Sequence, residues 1–202
     1  MIRRVGKRGA LLECAQPAAV AAVLRERIAA AGLAAAELVP GAATVLVLAP
    51  TRQGLPDLLA LVDGLEEAAA AAPGDAAVEV TLPVSYDGPD LAVVAEATGL
   101  AVDEVVRLHA ATVYTAAFTG FAPGFAYLTG LPEQLQLPRR AEPRTRVPAG
   151  SVAVADVYTA VYPRESPGGW NLLGTTDAVL FDPDRVPAAL LAPGTRVRFA
   201  PR

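Results

Sequence analysis

The chain is poor in the side chains that most metal and covalent chemistries require. Its 202 residues include one cysteine, Cys14, one histidine, His109, and one lysine, Lys7, while the other sixteen basic residues are arginine. A single cysteine excludes an intrachain disulfide, and one Cys with one His cannot make a zinc site of several such ligands. A P-loop needs a lysine inside a glycine-rich loop, which the run around Lys7 does not provide. We therefore expect no metal site and no intrinsic cofactor.

Positive charge and long apolar runs are scarce as well. The net charge is −4, with 17 Lys and Arg against 21 Asp and Glu, so no basic field attracts nucleic acid. Charged residues interrupt every alanine-rich stretch before it reaches 18 apolar residues, which predicts no membrane-spanning helix. The start of the chain reaches Glu13 before a long apolar segment forms and is a poor signal peptide. With 53% hydrophobic residues the chain can build a core. We expect a soluble, cytoplasmic protein without nucleic-acid or membrane partners.

The pattern of apolar residues predicts two domains, 1–82 and 83–202, divided at the turn-rich residues 83–88. The first reads as a small α+β domain of alternating strands and helices, with strands at 10–13, 43–49 and 78–82 and helices at 17–31 and 55–72. The second begins with two short helices, 90–98 and 102–112, and continues as short strands separated by turns, at 113–118, 151–155, 158–163, 178–183 and 195–201. It is predicted to be mainly β, a barrel or a sandwich. The two helices could pair as a helix–turn–helix, but they are too acidic to favour DNA binding.

Glycine, proline, aromatic residues and arginine are concentrated between Phe118 and Trp170. In residues 120–128 a Pro-Gly pair lies between Phe121, Phe125 and Tyr127. These rings either belong to the core around a β-turn or stand on a rigid loop that faces a ligand. In 166–170, Ser-Pro-Gly-Gly-Trp, the glycines could let backbone N–H groups approach a ligand, or the motif could be a turn alone.

Residues 138–151 form a proline-restricted loop with four arginines and one acid. Such a cluster is often solvated surface, but prolines at 143 and 148 lower the entropic cost of aiming a side chain. Arg140 and Arg144 are therefore candidates for bidentate binding of a carboxylate or phosphate.

His109 is a weak candidate for a general base, because its unperturbed pKa lies near neutrality. That role requires the side chain to face the loops at 120–128 or 140–151; otherwise His109 is a packed helix residue. Ser151 and Ser166 lack the context of a nucleophile elbow. No catalytic residue can be assigned from the sequence alone, and Cys14 is expected to be buried and inert.

Several motifs in order resemble a known family. The spaced pattern is PDL…TGL…EVVRLH…F.GFAPGF.YL…LPRRAEPRTRVPAGSV…YP.ESPGGW.L.GTT…LFDP…PG..VRF. It is similar to the B subunit of bacterial 5-oxoprolinase, a family also labelled allophanate hydrolase subunit 1 that includes the sporulation kinase A inhibitor. The resemblance is strong over residues 83–200.

The resemblance implies a ferredoxin-like N-terminal domain followed by a cyclophilin-like β-barrel. It implies partner subunits C and A, and the ATP-dependent opening of 5-oxoproline to L-glutamate by the complex, with ATP as co-substrate and Mg accompanying it. The isolated chain is then expected to be inactive. Beside His109, the family motifs place a substrate or nucleotide pocket at Phe121, Pro123, Phe125, Tyr127, Arg140, Arg144, Ser151, Tyr162, Ser166, Gly168, Gly169 and Trp170.

The chain departs from the family pattern at three places. Residues 155–160 replace the usual Gly-Gly-x-Gln-Thr-Gly run, Asn171 stands where glutamine is usual, and Ala126 where proline is usual. The substrate pocket is therefore open to change. A regulatory protein of the kinase-inhibitor type and an allophanate hydrolase component remain as alternatives.

Overall fold

A computed structural model describes residues 1–71 and 78–202, and the chain forms two compact units, Met1–Ala76 and Ala77–Arg202. The first unit contains a four-stranded antiparallel sheet in the order β1-β2-β4-β3. Its elements are β1 (Ile2–Val5), β2 (Gly9–Glu13), α1 (Pro17–Ala30), β3 (Glu37–Pro40), β4 (Thr44–Leu48), α2 (Leu55–Leu59) and α3 (Leu65–Ala71).

Helix α1 begins at Pro17, where the fixed φ of proline suits a first helical turn. Val20, Leu24 and Ile28 recur every four residues along α1 and are buried in the apolar core of this unit. The periodicity that predicted the helix is thus the periodicity of its packed face.

The single helix predicted over 55–72 is wrong, because the chain turns between α2 and α3. Gly64 has a φ of 64°, a left-handed conformation that interrupts a right-handed helix. The Arg27 guanidinium of α1 donates hydrogen bonds to the carbonyls of Leu61, Asp63 and Gly64, at 2.8, 2.6 and 3.3 Å. Residue 72 lies outside the described residues.

The second unit is mostly β, and its seven-stranded sheet is ordered β12-β9-β10-β7-β6-β13-β5. Its strands are β5 (Glu79–Val84), β6 (Val113–Thr119), β7 (Ala126–Thr129), β8 (Arg144–Val147), β9 (Ser151–Ala155), β10 (Tyr158–Val161), β11 (Ser166–Gly168), β12 (Asn171–Thr175) and β13 (Arg196–Pro201), of which β8 and β11 form a separate pair. Its helices are α4 (Leu91–Thr98), α5 (Val102–Ala111) and a 3-10 turn at Glu133–Leu135.

The sheet is nearly closed into a barrel. Beyond the end of β5, the backbone of Ser85 exchanges hydrogen bonds of 2.9 and 2.8 Å with Thr175 at the end of β12. The two outermost strands therefore meet, and the enclosed space is filled by an apolar core that includes Leu82, Val154 and Phe199.

The division between the units differs from the predicted boundary at 82/83. Residues Glu79–Val84 pair in parallel along β13, so this strand belongs to the second unit. A ferredoxin-like sheet needs a strand after its second helix, and here that strand is part of the barrel. The ferredoxin-like order is therefore not observed, and the edge beside β2 is occupied by β1.

The strand predicted over residues 178–183 is also wrong. In this stretch Phe181 makes one isolated bridge to Ala189. The Arg185 guanidinium holds the irregular segment by donating to the carbonyls of Val179 and Ala188, at 3.3 and 3.0 Å. A charged side chain thus supplies the hydrogen bonds that a strand partner would give.

Candidate functional site

The three motif segments come together on the outer face of β7, β9 and β10. The Phe125 ring lies 5.1 Å from Tyr127, 5.4 Å from Tyr162 and 5.6 Å from Trp170, in edge-to-face arrangements. Phe125, Tyr162 and Trp170 are each 4% exposed or less. These aromatic residues therefore form a second small core outside the barrel, as the packing alternative held.

Phe121 is the exception among the aromatic candidates. It is 58% exposed and has a φ of 64°, which is uncommon for a residue with a side chain. Its ring contacts Phe125 and Tyr162 with centroids 5.2 and 6.2 Å apart. The turn that contains Pro123 therefore presents Phe121 at the surface on an aromatic base.

The glycine pair at 168 and 169 serves close packing within the chain. A Cβ on Gly168 would overlap the Tyr162 hydroxyl, and Gly169 faces Pro143. The N–H of Arg140 donates to the Gly169 carbonyl at 2.7 Å. These contacts bring residues 138–151, which we call the arginine loop, against the β11 segment. They do not show an opening for a ligand at the glycines.

Asp90 is the charged centre of this region. Its side chain is 2% exposed, and its carboxylate accepts four hydrogen bonds. Arg140 donates one through Nη1, 2.7 Å from Oδ1. Arg144 donates two, both 2.8 Å, from Nη1 to Oδ2 and from Nη2 to Oδ1. The fourth comes from the Leu172 N–H, 2.8 Å from Oδ2.

Burial by itself would raise the pKa of Asp90. The hydrogen bonds from Arg144 and Leu172, with the charges of Arg144 and Arg140, outweigh burial and lower this pKa below its ordinary value. Asp90 is therefore ionised at neutral pH, and it binds both arginines by charge-assisted hydrogen bonds.

Arg140 and Arg144 are thus brought together, but on a carboxylate of their own chain. Arg140 leaves its buried Nε without a hydrogen-bond partner among the described residues. The neighbouring arginines differ: Arg139 lies over Trp170 at 6.0 Å and Arg146 pairs with Glu165 at 2.6 Å. Within the cluster, Arg140 and Arg144 are the two that anchor the loop.

Asp90, Arg140 and Arg144 form an ion cluster, and a cavity of about 200 Å³ lies beside it. Arg144 and Ser151 line it, as do Asp87, Gly88 and Thr175. The Thr175 hydroxyl donates to Asp87 at 3.1 Å. Arg146 also lies on its wall, so the cavity offers two cations, an anion and hydroxyl groups within a small volume.

The two candidate serines make local hydrogen bonds. Ser151 donates to the Pro148 carbonyl at 2.9 Å, and Ser166 donates to the Arg164 carbonyl at 3.3 Å. Ser151 lies at the cavity, whereas Ser166 lies on β11. Neither contacts a histidine in the described part of the chain.

His109 is fully buried inside the barrel. The Thr159 hydroxyl donates to the Ala153 carbonyl, so it accepts from Nε2 of His109 at 2.9 Å. Nδ1 then accepts from the Tyr86 hydroxyl at 2.8 Å. Burial lowers the pKa of His109 to about 3, so the ring is neutral. His109 thus does not face the loops that a general base there would need to reach.

Sequence reasoning missed Asp90 and Asp87. The sequence prediction places Asp90 at the start of the helix 90–98, and nothing local in the sequence distinguishes it from a solvated acid at a helix N-terminus. The excess of arginine over acid in residues 138–151, about fifty residues further along the chain, is the available signal, since buried arginines need a carboxylate partner.

ATP and Mg are implied by the resemblance, but the described residues do not fit them. Among residues 1–71 and 78–202, no group of three or more His, Cys, Asp or Glu side chains could hold a metal ion. The cavity is smaller than the roughly 300–1,000 Å³ of pockets for drug-sized ligands. This cavity therefore does not fit a nucleotide.

Comparison with known proteins decides the family. The model of the carboxyltransferase domain, subdomain C and D, matches residues 1–191. The 5-oxoprolinase B subunit of Escherichia coli O157:H7 is 47% identical over 171 residues, covering 82% of this chain and 78% of that protein. The chain belongs to the family of 5-oxoprolinase B subunits. The 5-oxoprolinase B subunit of Bacillus subtilis is 43% identical over 123 residues, which cover 59% of this chain and 51% of the B. subtilis protein.

Solved structures share the fold of this chain. TTHA0988 is 37% identical with a TM-score of 0.76, and the chain spans 40% of its length. PH0987 from Pyrococcus horikoshii is 31% identical with a TM-score of 0.60, and 97% of its length is covered. The Kluyveromyces lactis urea amidolyase, 18% identical with a TM-score of 0.74 and 15% of its length covered, shares the fold. None of the described helices is long and apolar enough to cross a membrane.

Two departures from the pattern of the 5-oxoprolinase B subunits have clear places in the structure. Asn171 Nδ2 donates to the Pro138 carbonyl at 3.1 Å and so ties β12 to the arginine loop. Tyr158 packs edge-on against Phe118 and Tyr127, with centroids 5.7 and 5.5 Å away. Asn171 therefore supports the arginine loop, and Tyr158 supports the aromatic rings of Phe118 and Tyr127.

Proposed function

We propose that this chain is the B subunit of an ATP-dependent 5-oxoprolinase complex, which opens 5-oxoproline to L-glutamate. The observation that carries the proposal is the cavity beside the ion cluster, taken with the names of the relatives. Arg144 on its wall suits a carboxylate, and Asp87 suits an N–H donor. The small lactam 5-oxoproline carries both groups.

The chemistry requires more than this chain, and we infer that subunits C and A complete the site. Ser151 and Ser166 donate to backbone carbonyls, and His109 is neutral and enclosed by the barrel. The described residues therefore form a cavity but show no activated nucleophile. The isolated chain is expected to be inactive.

We assign the ATP and its Mg to the assembled complex, whose other subunits would supply the nucleotide site. ATP dependence also favours the cytoplasm as the location of the proposed complex, since ATP is available there. The exposed Phe121 supports a contact surface on the second unit, since an aromatic side chain on a rigid turn loses little entropy when a partner binds.

We further propose that the second unit is a cyclophilin-like barrel and the first a variant of the ferredoxin-like fold. The nearly closed order of seven strands supports the first assignment. The run β2-α1-β3-β4 followed by helices supports the second, with β1 taking the edge that a last strand would occupy.

The test is ATP hydrolysis by the co-expressed complex, measured with and without 5-oxoproline. The proposal expects hydrolysis that depends on 5-oxoproline, with glutamate formed in equal amount, and no such activity from the single chain. Hydrolysis that ignores 5-oxoproline, or activity of the purified chain alone, would contradict it. Binding to a sensor kinase by a chain without 5-oxoprolinase activity would instead support the regulatory alternative.

A further inference from the structure

The Asp90 carboxylate joins three parts of the second unit. Asp90 precedes α4, Arg140 and Arg144 belong to the arginine loop and β8, and Leu172 lies on β12. The bond to Leu172 is reciprocal, because the Asp90 N–H donates to the Leu172 carbonyl at 3.1 Å. The carboxylate is thus fixed by backbone on one side and faces two guanidinium groups on the other.

Arg144 is held by a two-point contact. Both of its Nη atoms donate to Asp90 at 2.8 Å, which fixes the plane of the guanidinium as well as its position. Its backbone is also fixed, since Arg144 pairs with Gly168 between β8 and β11. A guanidinium has five N–H donors, and among the described residues Arg144 donates only to Asp90. Donors therefore remain, and Arg144 lines the cavity.

We propose that Asp90 is a positioning residue: it holds the Arg144 guanidinium at the wall of the cavity, where Arg144 binds the carboxylate of a small ligand. The inference rests on the proposed function for the identity of that ligand, 5-oxoproline. Two arginines share one buried acid, so the cluster keeps one net positive charge. A ligand carboxylate can balance that charge.

Three roles for Asp90 give different results when it is changed to Asn. If Asp90 positions Arg144, Asp90→Asn weakens carboxylate binding, although it makes the cluster more positive. If Asp90 is only a nearby negative charge, the same change strengthens binding, because a repulsion is removed. If it serves folding alone, the melting temperature falls and the affinity of the folded protein stays the same.

The experiment is calorimetric titration of the full chain, alone and with subunits C and A, using 5-oxoproline, L-glutamate and acetate as carboxylate probes. The neutral lactam 2-pyrrolidone, which lacks the carboxylate, is the matched ligand control. We expect wild type to bind 5-oxoproline and not 2-pyrrolidone. Asp90→Asn should weaken 5-oxoproline binding about tenfold, the size of a lost charge-assisted hydrogen bond. Glu142→Gln removes an exposed acid from the same loop and should leave the affinity unchanged.

Arg144→Lys decides the matter if Asp90→Asn does not fold. Lysine keeps the charge but cannot make the forked contact, so binding should again weaken about tenfold. Unchanged or tighter binding in either variant overturns the inference, as does a wild type that binds none of the carboxylates. If carboxylates bind through Arg144 but ATP hydrolysis ignores 5-oxoproline, the positioning role holds and the proposed function fails.

Discussion

The buried side chains of residues 1–71 are apolar, whereas those of residues 78–202 include seven polar or charged ones. In the first unit, alanine, valine, leucine and isoleucine from the three helices and the sheet fill the core together with Cys14. In the second unit the buried polar residues are Asp90, His109, Ser151, Thr159, Asn171, Thr176 and Thr195.

The difference shows two ways of fixing a chain. An apolar contact tolerates small shifts, because dispersion and desolvation have little direction. A buried polar group costs free energy unless its partner stands at the correct distance and angle. Asp90 and Asn171 both bond to the arginine loop, so the second unit uses its buried polar groups to fix the segments beside the cavity.

The largest expected effect comes from Gly88 in the second unit, whose surroundings differ from those of Gly32 in the first. A Cβ on Gly88 would overlap the backbone of Leu172, Leu173 and Gly174, where no flexible side chain can yield. Gly88→Ala should therefore lower the free energy of unfolding by about 3 kcal/mol or more. Gly32→Ala is the control: its φ is 63° and its Cβ would meet open space, so we expect about 1 kcal/mol. Equal losses in urea denaturation would contradict the difference.

The next effect is a dependence of stability on pH that the buried His109 causes. The pKa of His109 is about 3 in the folded chain, against an ordinary value of 6.5. Below pH 6.5, therefore, His109 binds a proton in the unfolded chain but stays neutral in the folded chain. The free energy of unfolding should fall as the pH drops from 6.5 towards 3, by up to about 1.4 kcal/mol per pH unit.

His109→Gln provides the comparison, because it removes the titration and keeps polar atoms in the ring's place. Between pH 6.5 and 4, the free energy of unfolding of this variant should fall less steeply with decreasing pH than that of wild type, because the contribution of His109 is absent. Below the ordinary value of 3.8, Asp90 adds its own loss, since its pKa is also lowered in the folded chain. If the free energy of unfolding has the same slope against pH in wild type and His109→Gln above pH 4, burial does not lower the pKa of His109.

The smallest predicted effect concerns one hydroxyl. Tyr86→Phe removes the donor to Nδ1 of His109 and leaves a buried acceptor unpaired, at a cost of about 1–2 kcal/mol. Tyr158→Phe is the matched control, because its hydroxyl makes no hydrogen bond among the described residues, and we expect less than about 0.5 kcal/mol. Thermal unfolding of the two variants side by side measures the contribution of the buried hydrogen bond.

Elements with a strong local pattern were predicted well. Helix α1, with its early proline and apolar spacing, and β9, with its continuous apolar run, lie where the sequence placed them. Strand β1 was missed because its four residues, Ile-Arg-Arg-Val, are all exposed at a sheet edge and show no alternation. Strand β11 was missed because Ser-Pro-Gly reads as a turn.

The candidate site was predicted only in part, for a physical reason. The motifs that stand together in the sequence do meet in space, as the contacts of Phe125 and Trp170 show. The partner of Arg140 and Arg144 could not be predicted from the sequence. Asp90 lies about fifty residues before them and contacts them only in the folded barrel. Long-range pairing of this kind leaves no local periodicity to detect.

The parallel pairing of β5 with β13 has a consequence for how the protein is made. β5 is the first strand of the barrel to leave the ribosome, and its ladder partner, Arg196–Pro201, is the last. Its other contact, from Ser85 to Thr175, also comes late in the chain. During synthesis, therefore, both edges of β5 remain unpaired until the later strands have emerged. The barrel can therefore be completed only after β13 has emerged, and until then the unpaired edges of β5 are open to pairing with other chains.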